Sequence, residues 1–183
     1  VAFDRVSFAY NGQPVLKRIS VDIPAGQTVA IVGPTGSGKS TLLSLLAREY
    51  DPQDGRVAVD GRDIREFPLR VLRRHIGCVP QDPFLFSDSI RANLTLGCPG
   101  ASPEDLDWAC EIAQFNDTLQ DLSNGYDTLL GERGINLSGG QKQRLTIARA
   151  LICKPRILIL DDALSSVDTH TEEEILHRLK DVM

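Results

Sequence analysis

The sequence predicts an α/β fold: a mixed sheet whose amino-terminal part is antiparallel, with a helical subdomain inserted between two strands of the core. Three observations carry this. Residues 1 to 32 either alternate apolar with polar side chains or run continuously apolar, as strands do. From about Asp82 to Ala150 the pattern turns mostly helical. A continuous apolar run, Ile157-Leu158-Ile159-Leu160, then resumes the parallel-sheet pattern. The chain has 183 residues, 42% hydrophobic and 25% charged, enough to bury a sizeable core. That composition excludes a disordered tail, a collagen-like chain and a small disulfide-stapled scaffold.

Taken in order, Val6, Phe8 and Tyr10 alternate with polar residues up to an Asn11-Gly12 turn. Ile19, Val21 and Ile23 alternate again until Pro24-Ala25-Gly26 breaks the run. Val29-Ala30-Ile31-Val32 reads as a strand covered on both faces. A Gly-rich loop and a helix with Leu42, Leu45 and Leu46 on one face follow. Asp54-Gly55 and Asp60-Gly61 bracket a short strand, Val57 to Val59. Pro68 starts a short helix carrying Leu69, Leu72 and the group Arg70, Arg73 and Arg74, read as a solvated face. Ile76 to Val79 is a strand ended by Pro80, and Ser102-Pro103-Glu104 is a helix start. The predicted division is residues 1–81 for the amino-terminal part of the core, 82–153 for the helical subdomain and 154–183 for the return to the core.

Charge and cysteine usage narrow the chemistry. A net charge of -5 gives no domain-wide basic footprint, so nucleic acid is not an expected partner. Cys78, Cys98, Cys110 and Cys153 form no CxxC pair and meet no His at zinc-ligand spacing. They read as scattered reduced thiols. No apolar run is long enough to span a bilayer, and the chain opens on Val1 inside a strand pattern, which suggests a piece of something longer.

Gly33-Pro34-Thr35-Gly36-Ser37-Gly38-Lys39-Ser40 fits GxxxxGK[ST] between a predicted strand and a predicted helix. Glycines there let backbone N–H groups turn toward phosphate oxygens, and the helix adds its positive end. Lys39 would reach the β- and γ-phosphates of a nucleotide, and the Ser40 hydroxyl would ligate Mg²⁺. The Ile157 to Leu160 run ends in Asp161-Asp162, at the strand end where α/β folds bind ligands. Asp161 is placed to hold the metal's water shell, and Asp162 to polarise an attacking water. Leu137-Ser138-Gly139-Gly140-Gln141 opens a further helix with Leu145, Ala148 and Ile152 on one face. Ser138 and Gln141 fit a capping box, and the tandem glycines leave backbone donors free for a second phosphate. One chain needs only one such site per triphosphate, so the second closes on the nucleotide of another copy.

Phosphate loop, Gln81, LSGGQ, an apolar strand ending in acids, and Ser165-Ser166-Val167-Asp168 occur in the order found in the ATP-binding cassette (ABC) family, which the whole chain resembles. The resemblance implies two nucleotide-binding domains sandwiching two ATP molecules head to tail. Tyr10 would stack on adenine, the alternative being a sheet-packing aromatic. Gly33 to Thr41 would hold the phosphates. Gln81 would touch Mg²⁺ and sense the membrane part. Ser138 to Gln141 would close the partner's site, and Ser166 to Asp168 would couple the two.

Tyr50-Asp51-Pro52, Gln81 to Phe86, Ser89 to Asn93, Gly125-Tyr126-Asp127 and Gly131 to Gly134 look like the exporter branch. Phe84, Phe86 and Arg91 would then meet the intracellular helices of a membrane domain; burial of both phenylalanines in the helical subdomain is the competing reading. Such a protein works at the cytoplasmic face of a membrane. Its membrane domains would lie amino-terminal in the same polypeptide.

Two departures from the family pattern matter. Where the family's base is usually Glu, Asp162 stands one methylene shorter, withdrawing the carboxylate by about 1.5 Å. A misplacement of ~1 Å can cost on the order of 100-fold. A hydrolytically weakened site follows, completed as part of a heterodimer, with a homodimer the alternative. The second is the family's switch histidine. His75, His170 and His177 match no such position, so the 183 residues alone are expected to be nearly inactive. Two other function classes remain: a regulatory subunit in which ATP is dimer glue, and a soluble ABC ATPase.

Overall fold

A computed structural model describes residues 1–182. Met183, where the sequence reading leaves the chain still in a helix, lies outside the described residues. The chain divides into two compact units, Val1–Arg73 and the part from Arg74 on.

The first unit is built on a four-stranded antiparallel sheet. Strands β1 (Ala2–Tyr10) and β2 (Gln13–Asp22) form a hairpin, and β3 (Asp54–Val59) and β4 (Arg62–Asp63) continue it in the order β2-β1-β3-β4. Asn11 and Gly12 turn the first hairpin with φ of 47° and 80°, the left-handed pair that a two-residue turn between twisted strands demands. Asp60 and Gly61 repeat it between β3 and β4. Val1 and Ile23 exchange hydrogen bonds of 2.7 Å beyond the last strand residues, lengthening the ladder by one pair. Phe3, Val6, Phe8, Leu16 and Val57 are buried, together with Leu42, Leu45 and Leu46 of helix α1 (Lys39–Leu46). The alternation in β1 and the one-faced leucines of α1 are as the pattern predicts.

The run Val29 to Val32 departs from expectation. It forms no strand, and Val29, Ile31 and Val32 are 45%, 39% and 88% exposed. A continuous apolar run supplies side chains for burial but cannot supply ladder partners. Here the first unit's sheet ends at β2 and β4, and none of its strands pairs with the run. Arg73 is exposed as expected and has partners that the sequence pattern does not name. It lies on the helix α2 (Leu69–Arg74), and its guanidinium donates to the carbonyls of Ala47 (3.3 Å) and Arg48 (3.1 Å). It therefore closes the carboxyl end of α1, where free carbonyls favour a cation, while staying on the exposed face. Arg70 and Arg74 are exposed as expected.

The second unit pairs β5 (Ile76–Val79) with β6 (Ile157–Leu160) in parallel. Between them run helices α3 (Ile90–Thr95), α4 (Pro103–Ile112), α5 (Asn116–Asp121) and α6 (Gly139–Leu151), and α7 (Thr169–Val182) follows β6. The inserted helical segment is thus as predicted. Its core joins Leu85, Ile90, Leu94, Leu106, Phe115, Leu145, Ile147 and Leu151 with Ile175 and Leu179 of α7. Gly77 allows β5 to approach α6: a Cβ there would stand 2.8 Å from the Ala150 carbonyl oxygen.

Candidate functional site

In the first unit, Gly33 to Gly38 form an open loop leading into α1, whose first residues are Lys39 and Ser40. Gly36 and Gly38 hold φ of 79° and 92°, and Gly38 abuts Leu16 so closely that a Cβ would lie 2.8 Å from its Cδ2. Only glycine meets both demands there. The decisive feature is the start of α1. Its N-cap is Gly38, and no side chain caps it. By contrast α3, α4 and α6 each carry a serine N-cap, at Ser89, Ser102 and Ser138. The first backbone donors of α1 are therefore left for an external anion, which the helix dipole also favours. Lys39 Nζ donates to the carbonyl oxygens of Gly33 (2.9 Å) and Pro34 (3.1 Å), folding its ammonium back over the same loop. A polyanionic phosphate chain fits this donor set.

Tyr10 is 38% exposed and lies edge-on to Phe8 (4.9 Å between centroids) and Tyr50 (5.5 Å). It is at once a member of an aromatic cluster on the sheet and a ring with open surface. A cleft of this unit, about 670 Å³, contains none of the loop residues. It is lined by Arg5, Arg18, Arg56 and Arg65 with Asp4 and Asp54, and Asp4 and Asp63 already pair with three of those arginines.

In the second unit, the Asp161 N–H donates to the Val79 carbonyl (2.9 Å), which holds Asp161 in line with the end of β6. Asp162 turns out of the strand with φ 51°, a conformation that a short acidic side chain tolerates better than most. Gln81 Nε2 donates to Asp162 Oδ2 at 3.4 Å, a long bond between two exposed groups. Gln81 and Asp162, far apart in sequence, are thus brought together. Among the described residues no three His, Cys, Asp or Glu gather as a metal cage. One or two oxygen ligands plus substrate phosphates is the arrangement magnesium ordinarily uses, and the donors Gln81 and Asp161 fit it.

Ser138 begins α6 as predicted. Its Oγ accepts the Gln141 N–H (3.2 Å), and Gln141 Oε1 accepts the Ser138 N–H (2.8 Å). That closed box leaves the Gly139 and Gly140 N–H groups as the open donors of the first turn. Ser138, Gly139 and Gly140, with Arg144, Ser166, Val167 and Asp168, line a cleft of about 360 Å³. A Cβ on Gly140 would sit 2.8 Å from the Ser166 carbonyl oxygen, so the second glycine of the pair serves close packing.

The residue that sequence reasoning missed is Gln143. It is 2% exposed, donates through Nε2 to Ser165 Oγ (3.0 Å) and accepts the Ser166 N–H at Oε1 (2.8 Å). One amide therefore clasps the segment Ser165 to Asp168 against α6. The signal was present: Gln143 is a polar residue on the buried side of α6, among Leu145, Thr146 and Ile147. A buried amide in such a place calls for dedicated partners.

Phe84 and Phe86 are each 47% exposed and meet edge to face at 5.0 Å. The reading that buried both is overturned: the apolar interior beside them is filled by Leu85, which is fully buried. Arg91 pairs with Asp127 (3.0 Å) and lies over the Tyr126 ring.

Comparison with known proteins fits this geometry. Residues 16–165 match the family model described as ABC transporter. The chain is 47% identical, over all of its length, to the mitochondrial iron-sulfur clusters transporter ATM1 of Chaetomium globosum, covering 30% of that protein. It is 49% identical over its length to the mitochondrial iron-sulfur clusters transporter ABCB7 of Homo sapiens, covering 24% of it. Among solved structures, a bacterial Atm1-family ABC exporter with ATP bound aligns with a TM-score of 0.95 and 46% identity, over 99% of this chain and 32% of that one. The chain thus spans about a third or less of the relatives it matches. The chain belongs to the ABC transporter family.

Proposed function

We propose that this chain is the nucleotide-binding domain of an ABC exporter, binding and hydrolysing ATP in a head-to-tail dimer to drive transport across a membrane. The observation that carries it is the uncapped start of α1, an eight-residue helix whose N-cap Gly38 ends the glycine-rich loop, where α3, α4 and α6 carry serine caps. The roles follow from chemistry. Backbone N–H groups from Gly33 to Thr41 and the Lys39 ammonium bind the phosphates, and Tyr10 stacks on the base. Ser40, Gln81 and Asp161 hold Mg²⁺, which neutralises phosphate charge when bound. Asp162 accepts a proton from the attacking water, with Gln81 orienting it. Ser138, Gly139, Gly140 and Gln141 close the nucleotide site of a second domain. Residues 1–81 and 154–183 serve as the ATP-binding core, and 82–153 as the helical signature part.

No described helix is long and apolar enough to cross a membrane. Membrane domains, amino-terminal in the same polypeptide, are the second partner, and the working place is the cytoplasmic face of the membrane. The exposed pair Phe84 and Phe86, with Leu129 (70% exposed) and Ile135 (78%), supports an apolar docking surface for them. Asp162 supports a weakened site within a heterodimer. Titration with Mg²⁺-ATP tests the core of the reading: wild type binds, and Lys39→Ala binds at least tenfold more weakly while keeping its melting temperature. Equal affinity in the two proteins would remove the phosphate loop from the site.

A further inference from the structure

Cys98 lies in the turn that follows α3. Its N–H donates to the Thr95 carbonyl (3.0 Å), and its own carbonyl accepts the Ala101 N–H (3.0 Å). Cys153 lies in the turn that follows α6, where the Lys154 N–H donates to the Leu151 carbonyl (2.7 Å). The two turns meet side by side. A methyl group on Gly97, the neighbour of Cys98, would stand 3.4 Å from Cys153 Sγ, and the Cys98 thiol is near enough to act on that of Cys153. Both are free and half-buried, open enough for a small reagent, whereas Cys110 is sealed in the core. Neither takes any part in the nucleotide chemistry above.

We propose that Cys98 and Cys153 form a dithiol site that closes to an intramolecular disulfide on reaction with a small-molecule disulfide. Burial, reinforced by the neighbouring thiol, pushes Cys153 up to about 11, with the Arg74 cation opposing in part. Cys153 therefore keeps its proton, so the first attack is assigned to Cys98. The Cys98 thiolate attacks one sulfur of the reagent, forming a mixed disulfide and expelling one thiolate. Cys153 then gives up its proton and attacks Cys98 Sγ, releasing the second thiol. Two protein thiols are oxidised, one reagent disulfide is reduced to two thiols, and both protons end on those products. The charged groups around the pair are Arg74 and, on the Cys153 side, Lys154, which bonds to Asp105 (2.7 Å). The bond ties the turn after α3 to the carboxyl end of α6, whose amino end carries Ser138 to Gln141.

The test uses the whole chain and 2-hydroxyethyl disulfide, followed by unreduced peptide mapping. The expected product is a single peptide pair joined through Cys98 and Cys153, with Cys110 still reduced. Cys78→Ser leaves that product unchanged, and Cys98→Ser or Cys153→Ser abolishes it, leaving the remaining thiol free or as a mixed disulfide. Closing a loop that encloses α4, α5 and most of the second unit's core raises the melting temperature of the oxidised form by roughly 10 °C. Wild-type protein in which Cys98 and Cys153 each carry their own reagent adduct would overturn the proposal. So would a wild-type chain in which both stay reduced, or in which Cys98 is joined to Cys78. The mapping needs no variant to fold.

Discussion

Asp162 and Gln143 each bond to a residue distant in sequence. Asp162 leaves β6 in a left-handed conformation and receives a long hydrogen bond from Gln81. Its carboxylate is one methylene shorter than a glutamate's, so Asp162→Glu in the assembled transporter should raise turnover at this site toward the order of 100-fold. Site-resolved ATPase measurement decides it, and unchanged turnover removes the weakened-site reading. Gln143 works by a different route. Leucine in its place removes the acceptor of the Ser166 N–H, a loss of about 0.5–1.5 kcal/mol. Gln143→Leu should therefore lower the urea midpoint and open Ser165 to Asp168 to protease, whereas Gln143→Glu, which keeps the acceptor, should do so less. An unmoved midpoint with an intact segment would mean that the clasp holds nothing. The phosphate-loop pattern and the acids that end β6 stand out from motif spacing alone. For Gln143 the only local sign is a polar residue on the buried side of α6; its partners lie more than twenty residues away, so the pattern does not name them.

Elements are governed by their ends. Ser102 and Asp105 form a reciprocal box on α4, and the Thr171 N–H donates to Asp168 Oδ1 (3.0 Å) in the first turn of α7. The Asp105 carboxyl is held below its ordinary value first by Lys154 and then by the Ser102 N–H. That of Asp168 is lowered first by the Thr171 N–H. Depressed carboxyls stabilise the fold above their unfolded value of about 4, and the contribution is lost as pH falls through the lower folded value. Protection of the Asp105 and Thr171 amides should therefore stay constant from pH 7 to about 5 and fall only below about 4, as followed by hydrogen exchange. Loss of protection near neutral pH would point to some other group. Gly140→Ala tests the start of α6, because its Cβ would meet the Ser166 carbonyl at 2.8 Å. The expected result is a melting temperature lowered by several degrees, with the helix content of the rest unchanged.

At the scale of the molecule, two units carry the motifs separately: the phosphate loop in the first, Gln81, Asp161 and the α6 loop in the second. Amides of Val29 to Val32 should exchange within seconds, far faster than those of β1, because no ladder holds them. Strong protection there would show that the run is paired in solution. The sequence by itself determined the two-residue turns at Asn11-Gly12 and Asp60-Gly61, the serine caps, the one-faced leucines of α1 and the donor-rich loop before it. Each depends on backbone sterics and hydrogen bonds within a few residues, so nearby sequence suffices. Only the tertiary structure decided that Val29 to Val32 stands without a ladder, that Arg73 closes α1, that Gln143 clasps Ser165 and Ser166, and that Cys98 meets Cys153. Those outcomes depend on which distant segment arrives alongside, and hydrophobic pattern states how much a segment seeks to be covered without naming what covers it.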